Sequence, residues 1–143
     1  MLSKQANHAL KALLELAAEP ERWRSTHALA SAQQLPEPML EQILLRLRRA
    51  GVLVARRGRL GGYRLACSPG ELSLAAVLTG LGEAAAARGR TETTAADKVT
   101  RALERSLDRA RLQAFEDLRL EDLLFDLRSA EACATSEAGL LLG

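Results

Sequence analysis

Aromatic side chains are nearly missing from this chain: of its 143 residues only Trp23, Tyr63, Phe115 and Phe125 are aromatic. A core must then rest on Leu and Ala, which favours helix. Cysteine is just as scarce. Cys67 and Cys133 stand far apart, so a disulfide framework is excluded and free thiols of a cytosolic protein are expected. No window approaches the roughly 18 to 20 apolar residues of a membrane span. Lys4, Gln5, Asn7 and His8 also interrupt any apolar run that a secretory signal would need. Enzyme signatures are lacking too. The spacing after Gly58 fits neither a Walker loop nor a dinucleotide fingerprint, and there is no HExxH and no nucleophile-elbow serine. With two histidines and scattered carboxylates that read as solvated helix faces, no enzyme is expected.

What is present is an ordinary globular composition, 48% hydrophobic and 27% charged, long enough for one core but too short for a large multidomain enzyme. The net charge of +2 hides an imbalance. Residues 1–65 carry 11 Lys and Arg against 5 acids, while residues 66–143 carry 9 against 13. Two readings fit a +6 half joined to a −4 half: one half faces a polyanion, or the arginines merely solvate helix faces.

Apolar periodicity predicts a first helix over residues 3–18 through Ala6, Ala9, Leu10, Leu13 and Ala17, ended by Pro20. Ser25 or Thr26 can cap a second through about Gln33, burying Ala28, Leu29 and Ala32. After a tight connection at Gln34 and Leu35, Pro36-Glu37-Pro38 opens a third helix with the stripe Leu40, Ile43, Leu44 and Leu47, and Gly51 lies just past its end. The β-favouring run Val52 to Ala55, followed by RRGRLGGYRL over residues 56–65, reads as a hairpin. Ser68-Pro69-Gly70 is a turn, and Ser73 can cap a short helix carrying Leu74, Val77, Leu78 and Leu81. Residues 84–96 read as a mobile loop. A long helix from about Ala95 to Glu116 carries the seam Val99, Leu103, Leu107 and Ala110, suited to packing on a partner. A shorter acidic-apolar element holds Leu118, Leu120, Leu123, Leu124 and Leu127, and beyond Ser129 the sequence assigns nothing.

Helix, short helix, turn, helix and glycine hairpin is the order of a winged helix-turn-helix. HALKALLELA at residues 8–17, PMLEQILLRLRRAGVL at 38–53 and RRGRLGGYRL resemble the Rrf family of bacterial regulators, which includes IscR, NsrR and CymR. The likeness is strong over residues 4–80 and continues more loosely through LRLEDLL at 118–124. It implies a mainly α fold with a small β-hairpin wing and a long C-terminal dimerisation helix. The organisation expected is a DNA-binding domain over 1–82, a loop over 83–94, and a dimerisation helix and C-terminal segment over 95–143. The implied function is a homodimeric, sequence-specific regulator, expected as a repressor, with double-stranded DNA as partner and a pseudo-palindromic operator.

On that reading Pro38, Met39, Glu41 and Gln42 meet base edges from the start of the third helix, with Thr26 beside them. Glu41 can accept from cytosine, and Gln42 can pair with adenine. Alone, Glu41 would read as a carboxylate favoured by the helix dipole; the resemblance turns it toward DNA. Arg46 and Arg49 suit phosphates, and Arg56, Arg57, Gly58 and Arg59 form a wing for the minor groove. Val99, Leu103, Leu107 and Ala110 are the implied dimer seam.

The sequence also departs from the family. Many members hold an iron-sulfur cluster through three close cysteines before the dimerisation helix, and between Leu81 and Val99 this chain has neither Cys nor His. No cofactor and no metal site are therefore expected, and His8, His27, Cys67 and Cys133 read as ordinary surface or core residues. Regulation would fall to an unknown effector, a partner protein or thiol oxidation. Arg59 and Leu60 stand where the family often has proline and glycine, so base specificity does not transfer from a relative. A different class stays open: a protein-interaction module whose acidic C-terminal half binds a partner, with weak or effector-dependent DNA binding.

Overall fold

The first helix, α1 (Lys4–Ala18), is the centre of the molecule because its apolar residues occupy more than one face: Ala6, Ala9, Leu10, Ala12, Leu13, Leu16 and Ala17 are all buried. The structure, a computed structural model, describes residues 2–83 and 91–142, with side chains described through residue 136. Around α1 lie α2 (Thr26–Gln33), α3 (Glu37–Arg49), the strands β1 (Leu53–Arg56) and β2 (Gly62–Leu65), and α4 (Leu74–Gly80). Then follow α5 (Ala95–Asp117) and α6 (Leu120–Leu142).

Local chemistry sets the helix starts. Ser3, Ser25 and Ser73 each accept a hydrogen bond from the amide three residues on, at 3.0, 3.1 and 3.2 Å, so Ser25 is the cap of α2 and Thr26 its first residue. The ends of α2 and α3 share one device, in which the amide beyond a left-handed residue reaches back across the last turn. Leu35 N–H donates to Ala30 O and Val52 N–H to Leu47 O, both at 2.9 Å. Gly51 supplies that conformation after α3 with φ of 81°, whereas Gln34 supplies it after α2 with φ of 54°. A non-glycine residue in this region is strained, held here by the tight α2–α3 turn.

The third helix buries Leu40, Ile43, Leu44 and Leu47. The strands pair antiparallel in the register Leu53 with Leu65, Val54 with Arg64, Ala55 with Tyr63 and Arg56 with Gly62. Leu53 and Leu65 close the core while the strand tips stand in solvent. The last partners in the core come from far along the chain. Leu74 N–H donates to Leu118 O and Leu120 N–H to Leu72 O, both at 2.9 Å, and Leu120 and Leu124 are buried in the same cluster as α1.

Several details differ from the sequence reading. In α2 the buried alanine is Ala30, with Ala28 half-buried and Ala32 exposed, because α1 and α3 flank a different arc of so short a helix. The element after Leu118 is no short segment: α6 has 23 residues and runs past Ser129 to Leu142. Part of the expected loop, residues 84–90, lies outside the described residues; Ala95 and Ala96 are already helical. The long helix α5 falls where its periodicity predicted, yet it contributes no buried side chain, and Val99, Leu103 and Leu107 are 69, 59 and 60% exposed.

Candidate nucleic-acid interface

The solvent side of α3 follows from its buried side. With Leu40, Ile43, Leu44 and Leu47 inward, helical spacing sets Pro38, Gln42, Leu45 and Arg49 along the opposite stripe, with Glu41 and Arg48 on the neighbouring one. Pro38, Glu41, Gln42, Arg48 and Arg49 are exposed, while Met39 is half-buried against the core. Met39 thus serves packing as well as surface. Thr26 is half-buried at the start of α2, and next to it His27 Nδ1 lies 3.1 Å from Glu37 Oε2, bridging α2 to the first turn of α3.

Arg46 takes a different direction from Arg49. Its guanidinium donates to Gln5 Oε1 of α1, and Gln5 Nε2 donates to Leu81 O at 3.3 Å and Glu83 Oε2 at 3.2 Å. Arg46 therefore stands on the flank of α3 that meets α1 and the end of α4, where it and Arg49 border a shallow groove with Thr79 and Gly80. Among the described residues Arg48, Arg49, Arg57 and Arg59 have no carboxylate partner. Such unpaired guanidinium groups favour an anionic surface.

The wing follows α3 directly in the chain, and its strand β1 is in contact with that helix. Arg56, Arg57, Gly58 and Arg59 are all exposed, and the tip residue Leu60 is 82% exposed. The base of the wing is anchored by a contact that sequence reading missed. Arg24, in the α1–α2 connection, exchanges both backbone hydrogen bonds with Tyr63, at 3.0 and 2.8 Å, like one rung of a third strand. Gly62 makes this possible: a Cβ there would sit 2.3 Å from the Arg24 carbonyl oxygen. Tyr63 itself packs on the core. Trp23, next to Arg24, lies under two cations, with the Arg64 guanidinium 4.5 Å and that of Arg56 5.9 Å from its ring centroid. Arg64 also reaches Glu21 at 3.7 Å, and Arg24 reaches Glu15 at 3.5 Å. The signal for this cluster was the scarcity of aromatics itself, since a lone Trp in a polar connection needs a partner.

Among the described residues no three His, Cys, Asp or Glu side chains are grouped to hold a metal ion. Burial, helped by Lys4 and Lys11, holds the His8 imidazole below its usual pKa. Burial and then Glu71 push the Cys67 thiol up, away from the thiolate that redox chemistry uses, while Cys133 is exposed. The structure does not bring these residues together. No helix among the described residues is long and apolar enough to cross a membrane.

Known proteins share this arrangement. The slr0846 protein of Synechocystis sp., which carries the name of an HTH-type transcriptional regulator, is 38% identical over 135 residues, 92% of each chain. Among solved structures, IscR of T. potens superposes with a TM-score of 0.73 at 26% identity, covering 91% of this chain and 90% of that one. CymR, described as the global cysteine regulator of B. subtilis, gives 0.70 at 26% identity over 87% of this chain and 95% of its own. The model of the Rrf2 family, described as iron-dependent transcriptional regulators, matches residues 2–126, from before α1 into the first turns of α6. The chain is a winged helix-turn-helix protein that belongs to the Rrf2 family of transcriptional regulators.

Proposed function

We propose that this protein is a sequence-specific DNA-binding regulator, a repressor, that acts as a homodimer on a pseudo-palindromic operator. The observation that carries this reading is the exposed stripe of α3 followed directly by a wing in which Arg56, Arg57 and Arg59 are exposed and have no carboxylate partner among the described residues. A recognition helix meets base edges with its N-terminal turns, here Pro38, Met39, Glu41 and Gln42. The Glu41 carboxylate accepts from a cytosine amino group, and the Gln42 amide can serve adenine in the bidentate fashion. Arg49 and Arg46, with Thr26 near the start of α2, contact phosphates and fix register. Arg56, Arg57 and Arg59 enter the narrow, electronegative minor groove, and Gly58 lets the backbone come close.

The dimer is supported by α5. A helix that leaves Val99, Leu103 and Leu107 mostly exposed on one seam, with Ala110 continuing it, calls for a second copy, and two-fold symmetry would place two α3 helices about one turn of DNA apart. On this reading residues 1–82 bind DNA, 83–94 connect, and 95–143 dimerise, in a cytoplasmic protein.

The family's description names iron, but the donors of this chain do not fit a cluster held by three neighbouring thiolates, because Cys67 and Cys133 are its two cysteines. We therefore read a regulator without such a cluster, answering to an effector or partner protein. The test is capture of genomic DNA fragments on the purified protein at two salt concentrations, followed by sequencing. An enriched pseudo-palindrome that survives the higher salt is the expected result. Fragments held only at low salt without a shared motif would overturn the reading in favour of a module that binds a protein through its acidic half.

A further inference from the structure

We propose that Trp23 is a positioning residue for the wing: its indole holds Arg56 ready for DNA, an inference that rests on the DNA-binding function proposed above. The strand register carries the argument. Cross-strand partners share a face, so Val54, Arg64, Arg56 and Gly62 all lie on the outer side of the hairpin, opposite Tyr63 and the core. Arg56 is paired with Gly62, which has no side chain, so the hairpin offers Arg56 no cross-strand neighbour. The missing neighbour comes from the α1–α2 connection. Gly62 admits the Arg24 backbone, the two bonds between Arg24 and Tyr63 fix it there, and Trp23 is thereby laid along the outer face.

The two arginines on this ring differ. Arg64 is half-buried, close to the ring at 4.5 Å, and tied to Glu21, so it clamps the indole. Arg56 is exposed and at 5.9 Å sits at the limit of the attraction. Held over a ring and not on a carboxylate, the Arg56 guanidinium keeps its N–H groups free for phosphate or base edges. Trp23 therefore restricts a long side chain without using up its donors, and less ordering is left to be done when DNA arrives. The same argument does not extend to Arg57 and Arg59, which have no ring beside them among the described residues.

The experiment measures binding of the full-length protein to a short mixed-sequence duplex over a range of salt, for wild type, Trp23→Leu, Trp23→Phe and Arg56→Ala, with a thermal midpoint for each. Trp23→Leu is expected to weaken binding roughly fivefold to tenfold, the size of a partly exposed cation–π contact. Its salt slope should fall toward that of Arg56→Ala, about two per dimer for one lost phosphate contact per wing. Trp23→Phe, which keeps a ring, should restore most of both. Trp23 is the sole tryptophan, so its emission in wild type should change on addition of duplex, and that change should be largely absent in Arg56→Ala. A lowered thermal midpoint with an unaltered salt slope would mean that Trp23 only supports the fold and would overturn the proposal. So would unchanged emission on binding, a readout that needs no substitution at Trp23. Wild type that binds no duplex at all would remove the DNA-binding reading together with this one, whereas wild-type binding with inert Trp23 variants removes this one alone.

Discussion

The helices α3 and α5 carry the same kind of apolar stripe and use it in opposite ways. In α3 the four stripe residues are at most 2% exposed, while in α5 Val99, Leu103 and Leu107 are at least 59% exposed. Their starts differ in the same sense. The first turn of α3 follows Pro36 with no side-chain cap, whereas α5 begins with a reciprocal capping box between Thr94 and Asp97. A helix gripped by a core on one side needs little from its ends. One whose apolar stripe is left uncovered by the core of its own chain depends on its termini and on a surface from elsewhere.

The largest expected effect lies on the buried side of this contrast. Leu44 is fully buried, so Leu44→Ala should cost about 2–5 kcal/mol through lost burial and a cavity. Chemical denaturation would read this directly, and a loss under half a kcal/mol would mean that α3 is not packed as described. On α5 the corresponding change, Leu103→Glu, should leave the core of α1, α3 and the hairpin folded but abolish association. Each copy loses the burial of one leucine, about 1.5–3 kcal/mol, and the symmetry of a dimer doubles it. Sedimentation that still reports wild-type association would sink the proposed seam.

The exposed side of α3 and the wing should separate in a further way. Arg57→Ala is expected to weaken binding to every sequence and to lower the salt slope by about two per dimer. Glu41→Ala should instead relax discrimination at one base position by about 1–3 kcal/mol while leaving the salt slope nearly as it was. Two variants that bind as wild type would contradict the docking of both elements.

How much of this was readable in the sequence depends on the range of the interaction involved. The starts of α2 and α4 were legible because a serine three residues before an amide is a local signal, and the stripes of α1 and α3 because their period is local too. The hairpin was legible from its glycines. The return of Leu120 and Leu124 to the core was not, since pairing Arg119 with Ser73 is decided by residues far apart. The length of α6 was missed because small and polar residues from Ser129 onward blur the apolar period. At the proposed interface the sequence named Glu41, Gln42 and the wing arginines as expected DNA contacts, but it could not show that Arg46 turns to Gln5 or that Arg56 lies over Trp23. Those orientations depend on α1 and on the connection after it.

The smallest effect concerns the start of α5 and sharpens the contrast at its root. The Asp97 carboxylate accepts from Thr93 Oγ1 at 2.7 Å, from Thr93 N–H at 3.0 Å and from Thr94 N–H at 2.9 Å. These hydrogen bonds, the Thr93 side chain first, hold its pKa down to about 2. A depressed carboxylate favours the folded cap wherever the unfolded group would already be ionised, which is above its ordinary value of 3.8. The contribution is therefore complete above that pH and disappears as pH falls through about 2. In a pH titration followed by NMR, the amide signals of Thr93 and Thr94 should move with a midpoint near 2 rather than 3.8. In Asp97→Asn that titration should be gone and the first turn of α5 should exchange its amide hydrogens faster at neutral pH. Because α3 has no side-chain cap, its first turn should show no transition with a midpoint near 2, and one shared at that midpoint by both helix starts would mean that the whole fold, not the cap, is being titrated.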